Sequence, residues 1–387
     1  MWALFWRAVS PGDASVEPQC IGDRLSALTG PRPAGDCKPL TSLRFLAALA
    51  VFISHVPGVS LGTAYLLSRP AISFFFILSG FILAYNYHGS FVRLERQSVN
   101  NFYLARVARV YPTHALTFLL SLPALTLNGY FKAAPIWERL RAGALNLFLI
   151  HGFWPDKEVH YSYNALSWSL SDEAFFYAAF PFAVFAYHRM RPGLQKPFVW
   201  MAALCLAAAA LVAGLRNVLP HETAAWLFKI SPFFRLIDFL IGVLLFFACS
   251  RFFGSSHAQR PVLFTLAELG STALLAAALF FPPCVPNDPL WGVACLPLMA
   301  LVIGVFAFSR GALSSWMSHP YWVRLGELSF AFYMYHQLIF AYLPPARLAL
   351  FKAPTAVAYG IGFLATLLVS RLHYVYFETP MRSWIRV

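Results

Sequence analysis

The sequence predicts an all-α membrane protein, a polytopic helical bundle with about ten transmembrane spans. Of its 387 residues, 59% are hydrophobic and 12% are charged, whereas a soluble domain carries about 25% charged residues. The mean hydropathy is +0.62, and the apolar residues form long continuous runs. So few charges cannot cover a water-facing surface, which excludes soluble, disordered and fibrous proteins. A β-barrel is disfavoured because barrel strands alternate apolar and polar residues.

Ten apolar runs are long enough to cross a bilayer, which requires about 20 mainly apolar residues in a helix. In chain order they are 40–57, 71–87, 113–130, 166–187, 198–215, 232–249, 262–281, 289–308, 326–343 and 354–376. An eleventh apolar run, 140–152, is short and has charged residues on both sides. It either crosses the membrane, re-enters it or lies at its surface.

The distribution of Lys and Arg favours ten spans with both termini in the cytoplasm. With that topology the cytoplasmic segments carry about twice as many basic residues as the outer ones, in agreement with the positive-inside rule. An eleventh span would invert this asymmetry in the later loops. Residues 1–38 are polar with several Pro and Gly, so we expect a partly disordered cytoplasmic tail before a transmembrane domain over 39–387. The net charge of +13 belongs mostly to the cytoplasmic loops, and no nucleic-acid partner is expected.

The chain shows no motif for a metal, a nucleotide or a serine hydrolase. Its six cysteines have no CxxC or other metal-ligand spacing, and a disulfide framework is disfavoured. The GxSxG, GxxxxGK[ST], HExxH and DxDxDG patterns are all absent. These absences disfavour a serine hydrolase, an ATP-driven pump and a zinc protease, and we expect no metal cofactor.

Two ionisable residues lie on the first predicted span. Arg44 and His55 are eleven residues apart, so they share one face of a helix, about 16 Å apart along its axis. Ionisable groups at membrane depth are costly and are candidates for function. The pair indicates a polar stripe along a water-accessible cavity. The structural alternative is that Arg44 extends to the interface while His55 packs as a hydrogen-bonded histidine.

Two arginines mark the cytoplasmic mouth of the third predicted span. Arg106 and Arg109, in the run RVARVYP, are three residues apart and are neighbours on one helical face. Two guanidinium groups side by side form a good clamp for a phosphate or a carboxylate. The alternative is that they are ordinary positive-inside charges.

Two further spans carry charged residues at membrane depth. Asp172 and Glu173 follow the start of 166–187, where a carboxylate can orient a histidine, bind a substrate hydroxyl or pair with an arginine. Glu173 continues into an apolar face and is the stronger candidate. Arg235 and Asp238 are three residues apart, a spacing that predicts an internal ion pair.

The span 326–343 carries a polar face in an otherwise apolar helix. Ser329, Tyr333 and His336 fall within about 60° of one another around a helix axis. This face indicates either a second acid–base histidine or a set of hydrogen-bonded packing residues. Glu378 follows the last span, where we expect it to cap the helix or form a salt bridge.

Six sequence blocks follow one another along the chain. They are LTSLRFLAALAVFISHVPG with Arg44-x10-His55, SFFFILSGFILAYNY, Arg106-x-x-Arg109 followed by Pro112, SWSLSDEAFFYAAFP, LGELSFAFYMYH and FETP. Each block alone is a weak signal, but in this order they resemble the membrane acyltransferase-3 family. The resemblance covers residues 38–384.

The resemblance implies a function and a set of site residues. The family moves acyl groups, often acetyl, from cytoplasmic acyl-CoA to hydroxyls of surface or lipid-linked sugars and other small acceptors. By resemblance, His55 is the catalytic histidine, Arg44 is its partner in the same motif, and Arg106 and Arg109 belong to the acyl-CoA site. Two departures concern His114, where the family often has an aromatic residue, and Asp172, which adds a second acid.

These observations lead to one mechanistic hypothesis. A neutral imidazole suits the removal of a hydroxyl proton near neutral pH, so we expect His55 to be the general base and Glu173 to be an orienting carboxylate. Ser79, Tyr333 and His336 are candidate substrate-binding residues, and an acyl intermediate on His55 or Ser79 is an alternative route.

The expected setting is a bacterial inner membrane. The expected partners are the lipid bilayer, acyl-CoA as donor and a saccharide or lipid-linked acceptor. One rival hypothesis is a membrane transporter or flippase, although the repeats and broken helices of many transporters are not evident. The other is a non-catalytic scaffold that retains the fold.

Overall fold

A computed structural model of the chain describes residues 37–56, 59, 61–127, 134–253, 260–281, 288–343 and 355–385. Within these ranges the regular structure is entirely helical, without strands. The predicted all-α fold is therefore confirmed. The predicted tail, 1–38, lies almost wholly outside the described residues.

The helices follow one another with short connections. We number the principal ones α1 to α14: Lys38–Ser54, Leu61–Tyr87, Arg96–Leu127, Ile136–Leu147, Trp168–Arg189, Pro197–Leu215, His221–Lys229, Pro232–Ser250, Pro261–Phe280, Pro289–Ala307, Ala312–Met317, Pro320–Tyr342, Thr355–His373 and Thr379–Ile385. Single turns occur at His88–Phe91, His151–Phe153, Lys157–His160, Ala165–Ser167 and Pro192–Leu194, and a π-helical turn at Tyr374–Glu378.

Proline defines the start of six of these helices. It occupies one of the first two positions of α1, α6, α8, α9, α10 and α12. There its missing N–H costs no hydrogen bond, and its fixed φ already suits a helix. At α10 the Asp288 side chain also accepts a hydrogen bond from the backbone N–H of Leu290, at 2.9 Å.

Six helical segments among the described residues are long and apolar enough to cross a membrane. They are Leu66–Phe91, Pro197–Leu215, His221–Ser250, Pro261–Phe280, Pro289–Ala307 and Val357–Ile385. The other four predicted spans also coincide with helices, namely α1, α3, α5 and α12. These four helices are not among the six segments, so length and composition do not by themselves establish the predicted ten spans. They contain most of the candidate site residues.

The short run 140–152 is not among the helical segments that are long and apolar enough to cross a membrane. It contributes to α4, whose 12 residues extend about 18 Å, well below the thickness of a bilayer core. Ile136 and Trp137 of α4 are exposed, whereas Gly143 is buried. A Cβ at Gly143 would lie 2.5 Å from the Tyr163 hydroxyl oxygen, so this helix packs closely on the loop that follows it.

Glycines allow two pairs of helices to touch through their backbones. A Cβ at Gly80 of α2 would lie 2.1 Å from the Phe239 carbonyl oxygen of α8, and one at Gly242 of α8 would lie 1.9 Å from that of Ile77. Between α12 and α1, a Cβ at Gly326 would lie 2.0 Å from the Thr41 carbonyl oxygen. Small residues commonly permit such close packing of membrane helices. The close approach at Gly326 places the polar face of α12 directly against α1.

Candidate active site

Two histidines meet where α1 ends. His55 follows the last residue of α1, and its Nδ1 lies 3.3 Å from Nε2 of the fully buried His336 on α12. The two ring centroids are 5.1 Å apart. Phe52 and Phe332 flank His336, with ring centroids at 5.9 Å and 6.5 Å. The structure therefore brings into contact two histidines that are far apart in the sequence and belong to different predicted spans.

Hydrogen bonds to the backbone determine which nitrogen of each ring carries a proton. Nδ1 of His55 lies 2.8 Å from the Val51 carbonyl oxygen, which can only accept, so Nδ1 is the donor and Nε2 is the basic nitrogen of the neutral ring. Nδ1 of His336 likewise donates to the Tyr333 carbonyl oxygen at 2.8 Å. This leaves Nε2 of His336 as an acceptor for the Nδ1 proton of His55. No described residue hydrogen-bonds to Nε2 of His55.

Tyr333 connects the histidine helix to the start of α5. Its hydroxyl donates to the Leu166 carbonyl oxygen at 3.2 Å and lies 2.9 Å from the Ser169 hydroxyl. Asn164 Nδ2 adds a second link by donating to the Met334 carbonyl oxygen at 3.0 Å. These bonds fix the rotation of α12 and therefore the direction of His336.

A cavity runs between α1, α2, α5 and α12. We call it the Arg44 cavity; its polar lining residues are Arg44, Ser169, Glu173, Ser329 and Tyr333, and the rest of its wall is apolar. Arg44 lines this cavity together with residues of α12, and His55 contacts His336 of α12 at the other end of α1.

Glu173 is the carboxylate of this cavity. Its Oε2 accepts a hydrogen bond from the Tyr177 hydroxyl at 2.6 Å. The charges of Arg44, Arg106 and Arg109 all act on it, but no ion pair at contact distance joins Glu173 to any of the three within the described ranges. Three cations thus act on one carboxylate, and none of them forms an ion pair with it within the described ranges.

Arg106 lies in a box of aromatic side chains. Its guanidinium carbon is 5.3 Å, 5.7 Å and 5.9 Å from the ring centroids of Tyr87, Phe102 and Tyr177. Nη2 donates to the Tyr87 hydroxyl at 3.1 Å. Cation–π contacts of this kind stabilise a guanidinium that is partly removed from water.

Arg109 is engaged by a buried carboxylate. It forms an ion pair with Glu378, which is only 1% exposed and also accepts from Arg382 at 3.5 Å. Glu378 ends a π-helical turn, which widens the helix and turns the following side chains. The salt bridge expected of Glu378 is present. The two arginines of the predicted clamp are consequently held by different partners.

These charged residues form one group at the Arg44 end of α1. We call it the arginine cluster: Arg44, Arg106, Arg109, Glu173 and Glu378. Three cations and two anions leave it positively charged, and both carboxylates reduce the penalty of holding guanidinium groups away from water. A site of this kind suits a polyanionic ligand, because each guanidinium presents several N–H donors.

Ser79 and Asp172 do not line the Arg44 cavity. Ser79 is half-buried on α2, and its side chain makes no hydrogen bond to a described residue. Asp172 is fully buried, with no hydrogen-bond partner for either carboxylate oxygen among the described residues. A Cβ at Gly152 would lie 3.3 Å from its Oδ1. The adjacent acids Asp172 and Glu173 therefore point to different surroundings.

Other polar residues have structural roles, in hydrogen bonds or ion pairs within the protein. His114 is buried, and its Nε2 lies 3.0 Å from the Asn146 carbonyl oxygen, to which it donates. The predicted pair of Arg235 and Asp238 is present, with Nη1 and Oδ2 3.0 Å apart. No group of three or more His, Cys, Asp or Glu side chains suited to a metal occurs in the described ranges.

Sequence reasoning missed Ser169 and Asn164 as site residues. Both belong to the run NALSWSLSDE, where small polar residues occur every second or third position at the start of an apolar helix. That density of hydroxyl and amide groups was a usable signal, because such groups need partners once buried. Their partners are on α12, which no local pattern could identify.

Comparison with known proteins identifies the family of the chain. A family model described as an acyltransferase domain, of the acyltransferase-3 type, matches residues 40–375. The chain is 30% identical over 331 residues to the acyltransferase MdmB of Streptomyces mycarofaciens, covering 78% of this chain and 79% of that protein. It is 23% identical over 360 residues to the O-acetyltransferase OatA of Staphylococcus aureus, covering 89% of this chain but 57% of that longer relative. No solved structure matches the chain. From its fold, its site and this family match, the chain belongs to the acyltransferase-3 family and is an acyltransferase.

Proposed function

We propose that the protein is an integral-membrane O-acyltransferase with ten spans and cytoplasmic termini. It transfers an acyl group, which we propose to be acetyl, from acyl-CoA to a hydroxyl of a saccharide or another small acceptor. The observation that carries the proposal is His55, whose Nε2 is left as the basic nitrogen because Nδ1 donates to the Val51 carbonyl oxygen. A general base needs such a nitrogen, oriented and accessible.

The arginine cluster supplies the proposed donor site. Coenzyme A is polyanionic, and Arg106 and Arg109 would bind its phosphates through charge-assisted hydrogen bonds. Arg44, on the wall of the Arg44 cavity, is eleven residues before His55, a rise of about 16 Å along α1. An extended pantetheine arm is of comparable length. A donor held by its phosphates at the cluster would thus present its thioester towards His55.

The proposed reaction is a direct acyl transfer. Nε2 of His55 removes the proton of the acceptor hydroxyl while the oxygen attacks the thioester carbonyl carbon. The tetrahedral adduct then expels the coenzyme A thiolate, and this takes up the proton from His55. The products are an ester and free coenzyme A, so protons and electrons balance. Arg44, about 16 Å before His55 along α1, contributes to donor binding in this scheme and not to the attack itself.

His336 acts through His55 in this scheme. When His55 gains a second proton, its Nδ1 proton is already directed at the Val51 carbonyl oxygen and at Nε2 of His336, 3.3 Å away. Both acceptors stabilise the imidazolium without having to reorient. His336 is therefore a positioning residue, and Glu173, at the opposite end of α1, is assigned to the donor site and not to the histidines.

The setting we propose is a bacterial inner membrane, with donor binding at the cytoplasmic side. Bacterial relatives of the chain and its apolar helices support that setting. The rival hypothesis of a transporter or flippase loses support, because the chain belongs to an acyltransferase family.

The test is transfer from labelled acetyl-CoA by the full chain in proteoliposomes, followed as thiol release and labelled product. His55→Gln is expected to lower kcat by about 10²–10⁴-fold, the range for loss of a general base. His88→Gln is the matched control, because His88 also follows a helix and its Nδ1 bonds the carbonyl oxygen four residues earlier, at 3.0 Å. Transfer by a folded His55→Gln protein at the wild-type rate would refute the assignment.

A further inference from the structure

Two tryptophans pack against each other where α11 leads into α12. The ring centroids of Trp316, in α11, and Trp322, near the start of α12, are 4.7 Å apart. Trp322 is half-buried, whereas Trp316 is 56% exposed. We call this pair the tryptophan platform. Neither ring takes part in the proposed acyl transfer.

Buried hydrogen bonds fix the helix that carries Trp316. The carboxylate of Glu268, on α9, is fully buried. It accepts hydrogen bonds from the backbone N–H groups of Gly311, Leu313 and Ser314, at 3.0, 3.0 and 3.2 Å, and another from the Ser314 hydroxyl. Withdrawing these donors from a buried carboxylate is costly, so they hold the first turn of α11 in place. Trp316 is therefore an exposed ring on a fixed helix.

The last turn of α11 is bonded to α1 beside the arginine cluster. The Ser42 hydroxyl donates to the Met317 carbonyl oxygen at 2.6 Å, and both residues are buried. Met317 is adjacent to Trp316 in the chain, and Ser42 is two residues before Arg44. This bond therefore places the tryptophan platform at the Arg44 end of α1.

The start of α12 provides a second link to the arginine cluster. Gly326, four residues after Trp322, packs on the Thr41 carbonyl oxygen of α1. The next residue, Glu327, lies in the field of Arg109. Trp322 precedes Glu327 by five residues, a rise of about 7.5 Å along α12. The tryptophan platform and the cations assigned to the donor phosphates are therefore neighbours at one end of the bundle.

We propose that the tryptophan platform binds a purine base, the adenine of the acyl-CoA donor. This assignment rests on the proposed function in one respect, because coenzyme A is the donor there. An aromatic side chain exposed to water gains free energy when a flat base stacks on it, and a ring on a fixed helix loses little conformational freedom in doing so. The arginine cluster would hold the phosphates while Trp316 holds the base, so the charged and apolar parts of the nucleotide have separate partners.

The test is calorimetric titration of the full chain, in a neutral detergent, with coenzyme A and with 4′-phosphopantetheine. The second probe keeps the pantetheine arm and one phosphate but lacks the adenine nucleotide. Trp316→Ala should weaken coenzyme A binding about tenfold, within the range for loss of one base–aromatic stack, and leave 4′-phosphopantetheine binding unchanged. Trp316→Phe keeps a flat ring and should keep most of the affinity. Trp137→Ala is the matched control, because Trp137 of α4 is 60% exposed, and it should bind both probes as the wild-type chain does.

Two results would overturn the inference. One is full retention of coenzyme A affinity in a folded Trp316→Ala protein, which would leave Trp316 as an anchor at the membrane interface. The other is an equal loss of affinity for both probes, which would mean that the change disturbs the arginine cluster instead of removing a base contact. Should Trp316→Ala not fold, Trp316→Leu supplies an apolar side chain without a flat face, and the same comparison decides.

Transfer from acetyl-CoA is measured on the same variants in proteoliposomes. We expect Trp316→Ala to raise KM for acetyl-CoA and to leave kcat unchanged. Acyl transfer together with coenzyme A binding that does not depend on Trp316 refutes this inference alone. Coenzyme A binding that depends on Trp316, in a chain without acyl transfer, refutes the proposed function alone.

Discussion

The two ends of α1 hold their polar side chains in opposite ways. At the Arg44 end, permanent charges are held by other side chains: Arg109 by the carboxylate of Glu378, and Arg106 by three aromatic rings. At the other end, His55 and His336 are held chiefly by backbone carbonyl oxygens. A permanent charge in a low-dielectric setting needs a countercharge or a polarisable neighbour. A neutral imidazole needs only hydrogen bonds, and it remains able to change its charge during a reaction.

This difference has functional consequences. Changes at the arginine cluster should alter stability or donor affinity, because they leave a buried charge without its partner or remove a phosphate contact. Changes at the histidine pair should alter the rate, because the fold there does not depend on a charge.

Replacing Glu378 by Gln should destabilise the protein most. Arg109 and Arg382 would lose their shared carboxylate, and breaking a buried ion pair by removing one partner costs about 3–5 kcal/mol. Thermal unfolding in detergent measures the loss. Glu95→Gln is the control, since Glu95 is exposed just before α3. Equal stability of the two variants would show that the arginine cluster does not depend on Glu378.

Replacing His336 by Phe should lower kcat without changing KM for acetyl-CoA. The ring would still pack between Phe52 and Phe332, but the acceptor for the Nδ1 proton of His55 would be lost. We expect about a 10- to 100-fold decrease, smaller than the effect of removing the base itself. His336→Gln, whose amide oxygen can accept, should restore part of the rate. An increase in KM instead would place His336 in the donor site.

Replacing Arg106 by Lys should raise KM for acetyl-CoA about tenfold and leave kcat unchanged. An ammonium cannot reproduce the planar, multiple hydrogen bonding of a guanidinium or its stacking on rings. Arg96→Lys is the matched control, because Arg96 begins the same helix and is exposed. Initial rates over a range of acetyl-CoA concentrations separate the two constants. A change in kcat alone would contradict the donor-site assignment of Arg106.

Replacing Ser79 by Ala should change transfer least, by less than about twofold, because the Ser79 hydroxyl takes part in no step of the direct route and would matter only as a covalent nucleophile. Ser79 does not line the Arg44 cavity, and its side chain makes no hydrogen bond to a described residue, so no base in the described ranges activates it as a nucleophile. Loss of transfer in Ser79→Ala, or a labelled acyl group trapped on Ser79 without acceptor, would favour the covalent route over direct transfer.

Sequence reasoning reached the fold class and several local contacts. The ion pair of Arg235 with Asp238 and the salt bridge of Glu378 were predicted, and the structure shows both. The clamp was only partly anticipated. Arg106 and Arg109 are neighbours on α3 as their spacing requires, yet one is enclosed by aromatic rings and the other is bound to Glu378.

Contacts between helices could not be predicted from the sequence. The separation of Arg109 and Glu378 is 269 residues, and that of His55 and His336 is 281 residues. No pattern within one segment relates residues so far apart. Arg69, Ser73 and Lys229 line one cavity, and this arrangement appears only when α2, α7 and α8 are packed together.

The sequence by itself determined the helical, membrane-type architecture and the face of each helix on which the polar residues lie. The apolar composition requires a lipid environment, and the helical period of 3.6 residues sets the angle of each side chain around the helix axis. The tertiary structure alone decided which faces meet. That choice depends on backbone contact at Gly326, Gly80 and Gly242, where the absence of a Cβ brings two helices together and so brings His336 to His55.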